Sequence, residues 1–187
     1  MSIEQLEASA AILVVVDVQE KAMGELCDSD RVCREIVRLI RSARKLELPI
    51  IVTEHAPADS NPTVASVREA LGEQYEPIEK HSFSAAGDLH FMQRFEVSGR
   101  RQILVCGAES HVCVWLTARD LHQLGWNVQV LGDAITSRNE LDHQITLDRL
   151  MHHGIGVTTV EMAIYEMLGG DDSPMYQEVC DIMASRD

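Results

Sequence analysis

The strongest constraint on this fold is an unbroken run of six apolar residues, AILVVV, at positions 11–16. A strand with one face in water alternates apolar and polar residues. A continuous β-branched run means both faces are covered, the pattern of parallel sheets packed between helices. Shorter runs follow at 49–53 (PIIVT), 76–80 (EPIEK, the weakest), 102–106 (QILVC), 127–131 (NVQVL) and 156–159. The segments between them change period. Residues 30–46 carry Val32, Ile36, Val37, Leu39, Ile40 and Ala43 at helical spacing. Helices are also expected over 64–71, from an Asp88 cap to about 97, over 112–124 ending at Gly125, over 141–153 ending at Gly154, and over 160–168. The stretch 132–139 reads as a loop. Six strands alternating with helices predict an α/β chain: a three-layer α/β/α sandwich around a six-stranded parallel sheet, Rossmann-like in plan. The 187 residues read as a single domain, 1–187, with a core at about 10–168 and a tail at 169–187. Within the tail, 174–184 is expected to form a terminal helix that packs on a neighbouring copy.

Composition narrows the function classes. Sixteen Lys and Arg against 30 Asp and Glu give a formal charge of −14. Such a chain repels polyanions, so neither nucleic acid nor an anionic membrane is an expected partner. Arg31, Arg34, Arg38, Arg41, Arg44 and Lys45 cluster locally, but they fall between the apolar positions of one helix and read as its solvated face. No run approaches the roughly 20 apolar residues of a membrane span, and MSIEQLEASA lacks the pattern of a secretory leader. Five cysteines without framework spacing suit a reduced, cytoplasmic protein whose special cysteine, if any, is chemical.

In sheets of this kind ligands sit beyond the carboxyl ends of the strands. Strand one ends in Asp17, a carboxylate that is costly to bury unless paired or used. Functional and turn-capping readings weigh equally there. Strand three ends in Lys80, by itself weak evidence, since lysines at strand ends usually face solvent. Strand four leads through Gly107 into a helix whose first turn holds Cys113. A helix N-terminus lowers a thiol pKa and stabilises a developing oxyanion. Most free cysteines are small core residues, and Cys106 inside the strand reads so. Cys27, Cys33 and Cys180 lack the strand–turn–helix context.

Together, VVVDVQE around Asp17, IEKHSFSA around Lys80, and VCGAESHVCVWLTARDL followed by GWNVQVLGDAITS around Cys113 resemble the signature segments of isochorismatase-like cysteine hydrolases. That superfamily includes nicotinamidases and N-carbamoylsarcosine amidases, and the resemblance spans about residues 10–168. It implies strand order 3-2-1-4-5-6 and an Asp–Lys–Cys triad. In that triad Cys113 is the nucleophile, Asp17 the general base and Lys80 the cation that keeps Asp17 ionised. Lys80 comes from an outer strand, so its loop must fold back over the site. The resemblance also implies a cis peptide between Ala108 and Glu109 and an oxyanion hole from the backbone N–H groups of Glu109 and Cys113. A free thiol near pKa 8.5 is only a few per cent thiolate at neutral pH, so a base and a cation beside it are expected to raise the reactive fraction. On that reasoning Asp17→Asn should raise the thiol pKa.

The nicotinamidase branch binds a metal through an Asp-x-His near the end of strand two. Here that stretch runs VTEHAPAD over 52–59, with His55 alone, and His81 does not complete the pattern. No metal and no cofactor are therefore expected. Gln19, Glu54, His55 and Phe83 are candidate pocket residues, with His111 and Trp115 as weaker ones. The implied activity is hydrolysis of a small amide or carbamoyl compound through a thioester. An isochorismatase-type vinyl-ether hydrolase and a non-catalytic scaffold are the alternatives. A homo-oligomer is the expected assembly, with a small molecule as the other partner.

Overall fold

The computed structural model describes residues 5–56 and 61–185. Pro57, Ala58 and Asp59, on which the loop and Asp-x-His readings partly rest, lie outside the described residues. In chain order the elements begin β1 (Ala11–Val16), α1 (Glu20–Met23), α2 (Ser29–Lys45), β2 (Ile50–His55), α3 (Ala65–Leu71), β3 (Ile78–Lys80) and α4 (Leu89–Ser98). They continue β4 (Gln102–Ala108), α5 (Trp115–Gln123), β5 (Asn127–Thr136), α6 (Glu140–His152), β6 (Gly156–Thr158), α7 (Val160–Leu168) and α8 (Tyr176–Ala184). The six strands form one parallel sheet in the order β3-β2-β1-β4-β5-β6.

The AILVVV run explains the layering. β1 lies at the centre and all six of its residues are buried. Leu13 and Val15 face one layer, built on Ile36 and Ile40 of α2, Leu71 of α3, Ile164 of α7 and Val179 of α8. Ile12, Val14 and Val16 face the other, built on Phe91 and Phe95 of α4, Trp115 and Leu121 of α5, and Leu150 of α6. Each such side chain contributes about 1.5–3 kcal/mol on burial.

β1 and β4 run in register from Ala11 beside Gln102 to Val16 beside Gly107. At that last pair the two backbones nearly touch. Gly107 has φ 122°, and a Cβ there would sit 2.0 Å from the Val16 carbonyl oxygen. Only glycine fits.

Two expectations need correction. β5 does not stop at 131; it runs on to Thr136. The interrupting Asp133 is not a loop residue: its carboxylate accepts from the Val160 N–H at 2.9 Å and so caps α7. The helix expected from 112 begins earlier, as a wide π-helical turn over Ser110–Val114 that passes into α5. α8 packs against α2 of its own chain. Val179 and Met183 are buried against α2, Lys45 pairs with Glu178, and Arg38 donates to the Met183 carbonyl. Others of the basic cluster are also engaged: Arg38 pairs with Glu35 at 2.8 Å and Arg44 donates to the Ala70 carbonyl at 2.8 Å. Among the described residues no helix is long and apolar enough to cross a membrane.

Candidate active site

The strand order places the carboxyl ends of β1 and β4 side by side, and the residues immediately after them meet. Asp17 follows β1 in a left-handed conformation, φ 50°, and is 5% exposed. Its backbone N–H donates to the Thr53 carbonyl at 3.1 Å. Its carboxylate has two described side-chain partners on opposite oxygens. Thr53 Oγ1 donates to Oδ1 at 2.7 Å and Lys80 Nζ to Oδ2 at 2.6 Å.

Lys80 ends β3, two strands from β1, a separation of about 10 Å. Its side chain, fully buried, reaches back toward β1, and the Asp17 side chain and their hydrogen bond close the rest of the gap. The loop after β3 folds back so that the Ser82 and Phe83 carbonyls accept from Nζ at 3.0 and 3.2 Å. A buried ammonium needs all its protons satisfied, and these acceptors supply that. The same Nζ stands 3.8 Å from Cys113 Sγ. Cys113 lies in the π-helical turn, 8% exposed. The structure thus gathers Asp17, Lys80 and Cys113. The Ala108–Glu109 peptide bond preceding the turn is cis.

The electrostatics differ from the sequence expectation. Burial, then the negative charge of Asp17, push the Cys113 thiol up to about 12, while Lys80 pulls the other way. Among the described hydrogen bonds the sulfur has Lys80 Nζ as its partner. Burial and the charge of Asp17 thus favour the thiol form of Cys113 over the thiolate. The sign expected for Asp17→Asn is likewise reversed: a neighbouring anion holds the proton on sulfur, so removing that anion lowers the thiol pKa.

Above these groups opens a cavity of about 500 Å³. Gln19, His55 and Phe83 line it as expected, with Asp17, Ala108, Glu109 and Cys113. Gln19 is held rigidly: its amide donates to the His55 carbonyl at 3.1 Å and the Asn61 carbonyl at 2.5 Å, and accepts from the His55 N–H at 2.9 Å. The rings of His55 and Phe83 stack at 5.6 Å. Glu54 does not line the cavity. Successive strand residues face opposite ways. With Thr53 turned to Asp17, Glu54 turns to the other layer, where it accepts from Thr63 N, Thr63 Oγ1 and Tyr75 OH at 2.7, 2.7 and 2.6 Å. His111 and Trp115 also lie off the cavity lining. His111 Nδ1 stands 3.0 Å from Ser137 Oγ, and Trp115 packs under Arg149 at 4.4 Å.

The sequence reading missed Thr53, Lys21, Asn61 and Arg138. Arg138 lines the cavity and grips Glu109 with two bonds of 2.9 Å. The strand-end rule finds it once β5 is carried to Thr136. Lys21 and the neighbouring Ala22 lie on α1, which no periodicity announced.

The comparisons agree with the geometry. The isochorismatase domain matches residues 11–162. Isochorismatase domain-containing protein 2 of Xenopus laevis is 30% identical over 177 residues, covering 95% of this chain and 85% of that protein. Among solved structures, the MAR1 ribonuclease of Caenorhabditis elegans superposes with a TM-score of 0.91 at 30% identity, covering 98% of this chain and 94% of the other. The YcaC gene product of Escherichia coli, described as an octameric hydrolase of unknown specificity, gives 0.87 at 21% identity, covering 98% and 89%.

Proposed function

This chain belongs to the isochorismatase family of hydrolases, and from that premise we propose that it cleaves a small amide or carbamoyl compound through a thioester on Cys113. The observation that carries the proposal is one buried ammonium, Lys80, 2.6 Å from the Asp17 carboxylate and 3.8 Å from the Cys113 sulfur, two groups that both line the cavity.

A thiol with a pKa of about 12 is a poor spontaneous nucleophile. It attacks when its proton leaves as the new bond forms, and Asp17, the carboxylate whose charge acts on the thiol, accepts that proton. Sulfur adds to the amide carbonyl and the thiol proton passes to Asp17. The oxyanion is met by the backbone N–H groups of Glu109 and Cys113, at the positive end of the turn that leads into α5. Asp17, now a carboxylic acid, gives the proton to the leaving nitrogen, and ammonia or an amine departs. Water then attacks the thioester with Asp17 as base, which releases the acid and restores the thiol. Lys80 offsets the charge of Asp17 whenever it is ionised.

Assembly with further copies is part of the same proposal. The octameric description of the E. coli YcaC product supports it, as do the exposed Leu141 and Ile145, one turn apart on α6. Light scattering during size-exclusion chromatography measures it, and a monomer at micromolar concentration removes this part.

The test of the chemistry is a panel of small primary amides and carbamoyl compounds monitored for ammonia, with intact mass to trap an acyl adduct. Isochorismate, monitored for pyruvate, and RNA complete the panel. The expected result is ammonia release with an adduct on Cys113, both lost in Cys113→Ala, which keeps its fold because one small side chain is removed. Turnover at the wild-type rate in that variant excludes the mechanism. Pyruvate without ammonia points to the vinyl-ether reaction instead.

A further inference from the structure

β2 contains one polar side chain that serves neither packing nor the opposite layer. Thr53 is fully buried between Val52 and Glu54, paired in the sheet with Val16 on one side and Ile78 on the other. Valine has the same shape and is the ordinary residue at a buried strand position. The difference between the two is one hydroxyl, and that hydroxyl donates to Asp17 Oδ1 at 2.7 Å. The same residue accepts the Asp17 N–H through its carbonyl at 3.1 Å, so Thr53 grips the carboxylate and the backbone of one neighbour.

We propose that Thr53 is a positioning residue: its hydroxyl occupies Asp17 Oδ1 and, with Lys80 on Oδ2, fixes the carboxylate plane and limits how strongly Asp17 holds the thiol proton of Cys113. The inference rests on the reading of Asp17 as the base. Lys80 and Cys113 are the ionisable groups against Asp17. Lys21 from α1, His55 at the end of β2, Glu109 before the π-helical turn and Arg138 after β5 line the same cavity. None of these four has a hydrogen bond to the Asp17 carboxylate among those described, whereas Thr53 does.

A donor that stabilises the anion makes it a weaker base. Without the hydroxyl, the Asp17 carboxylate loses one of its two described donors, and its negative charge acts more strongly on the thiol proton. Less thiolate is then present at any given pH. The hydroxyl thus weakens the hold of Asp17 on the thiol proton, and its loss strengthens that hold.

The experiment needs no substrate, so it can fail separately from the amide panel. Alkylation of Cys113 by iodoacetamide is followed by peptide mass between pH 7 and 10. The chains compared are wild type, Thr53→Val, Thr53→Ser, and Thr53→Val in an Asp17→Asn background. Thr53→Val is expected to slow alkylation about three- to tenfold at pH 9, equivalent to an upward displacement of the profile by about half to one pH unit. Thr53→Ser should stay within about twofold of wild type, and Thr53→Val should change nothing when Asp17 is already Asn. A hydroxyl that only fills space lowers the melting temperature and leaves the profile where it was. An unchanged or faster rate in folded Thr53→Val overturns the proposal, as does an equal slowing in the Asp17→Asn background. If Thr53→Val does not fold, Thr53→Ala is read in its place. It removes the same donor without setting a methyl against Oδ1, and the same direction is required. Rates that support this inference beside amide turnover that survives Cys113→Ala would separate the two readings.

Discussion

Replacing Asp17 with asparagine should make Cys113 a more acidic thiol and the protein an inactive hydrolase. The two effects run in opposite directions, which makes the variant informative. In the wild type the thiol is pushed up to about 12 by burial and then by the charge of Asp17, against the opposing pull of Lys80. At pH 8 that leaves on the order of one thiolate in ten thousand. Asparagine is isosteric and still offers Oδ1 to Thr53, but it carries no charge. Lys80 keeps the Ser82 and Phe83 carbonyls as acceptors, so its cation stays beside the sulfur. Two unit charges about 4 Å apart interact by ~4 kcal/mol at an effective dielectric of about 20, equivalent to ~3 pH units. A partly solvated cavity mouth reduces this, and a fall of one to two pH units is expected. The second-order rate of iodoacetamide alkylation at Cys113 should therefore rise about ten- to a hundredfold at pH 8, while amide turnover disappears. An alkylation rate equal to or below that of the wild type would refute the reasoning, because it would mean that Asp17 promotes the thiolate even at rest.

Two further substitutions probe the supports of the site. Lys80→Met removes the cation from a fully buried pair and leaves the Asp17 carboxylate uncompensated. The unfolding free energy in urea should fall by about 3–5 kcal/mol, and a loss below about 1 kcal/mol would show that the pair is not a structural one. Glu54→Gln weakens the acceptor shared by Thr63 and Tyr75 without touching the cavity. Stability should drop by about 1–2 kcal/mol with Cys113 alkylation and turnover unchanged; a tenfold loss of either would return Glu54 to the site.

The framework was legible in the sequence because continuous apolar runs and helical spacing are both consequences of burial. AILVVV was unambiguous, since no polar residue interrupts it. β5 was cut short for the complementary reason: Gly132-Asp133 looks like a break, and nothing local reveals that Asp133 is needed by the start of α7. Asp17, Lys80 and Cys113 each stand at or beyond a strand end, but singly they carried little weight; it was the resemblance of the three segments that joined them. Thr53 was invisible, as threonine is an ordinary strand residue and only its hydroxyl's direction distinguishes it. Glu54 was misplaced by one residue's alternation, because a sequence does not say which face of β2 meets the site. The resting state of the thiol was out of reach as well. It depends on how deeply Cys113 is buried and on how near Asp17 comes, and neither distance is encoded locally.

Gly107 carries a consequence for how such a chain can change over generations. Its missing side chain lets β4 approach β1 until a Cβ would collide with the Val16 carbonyl at 2.0 Å. That same approach brings the residue after β1, Asp17, to the turn after β4 that holds Cys113. Stability of the central strand pair and the spacing of Asp17 and Cys113 are therefore a single inherited trait. A lineage that abandoned the chemistry would still be held to glycine by the need to fold, and the geometry of the site would persist after its use was lost. A second reaction could then arise in this cavity by changing its rim, at Lys21, Asn61 or Arg138, without rebuilding its floor.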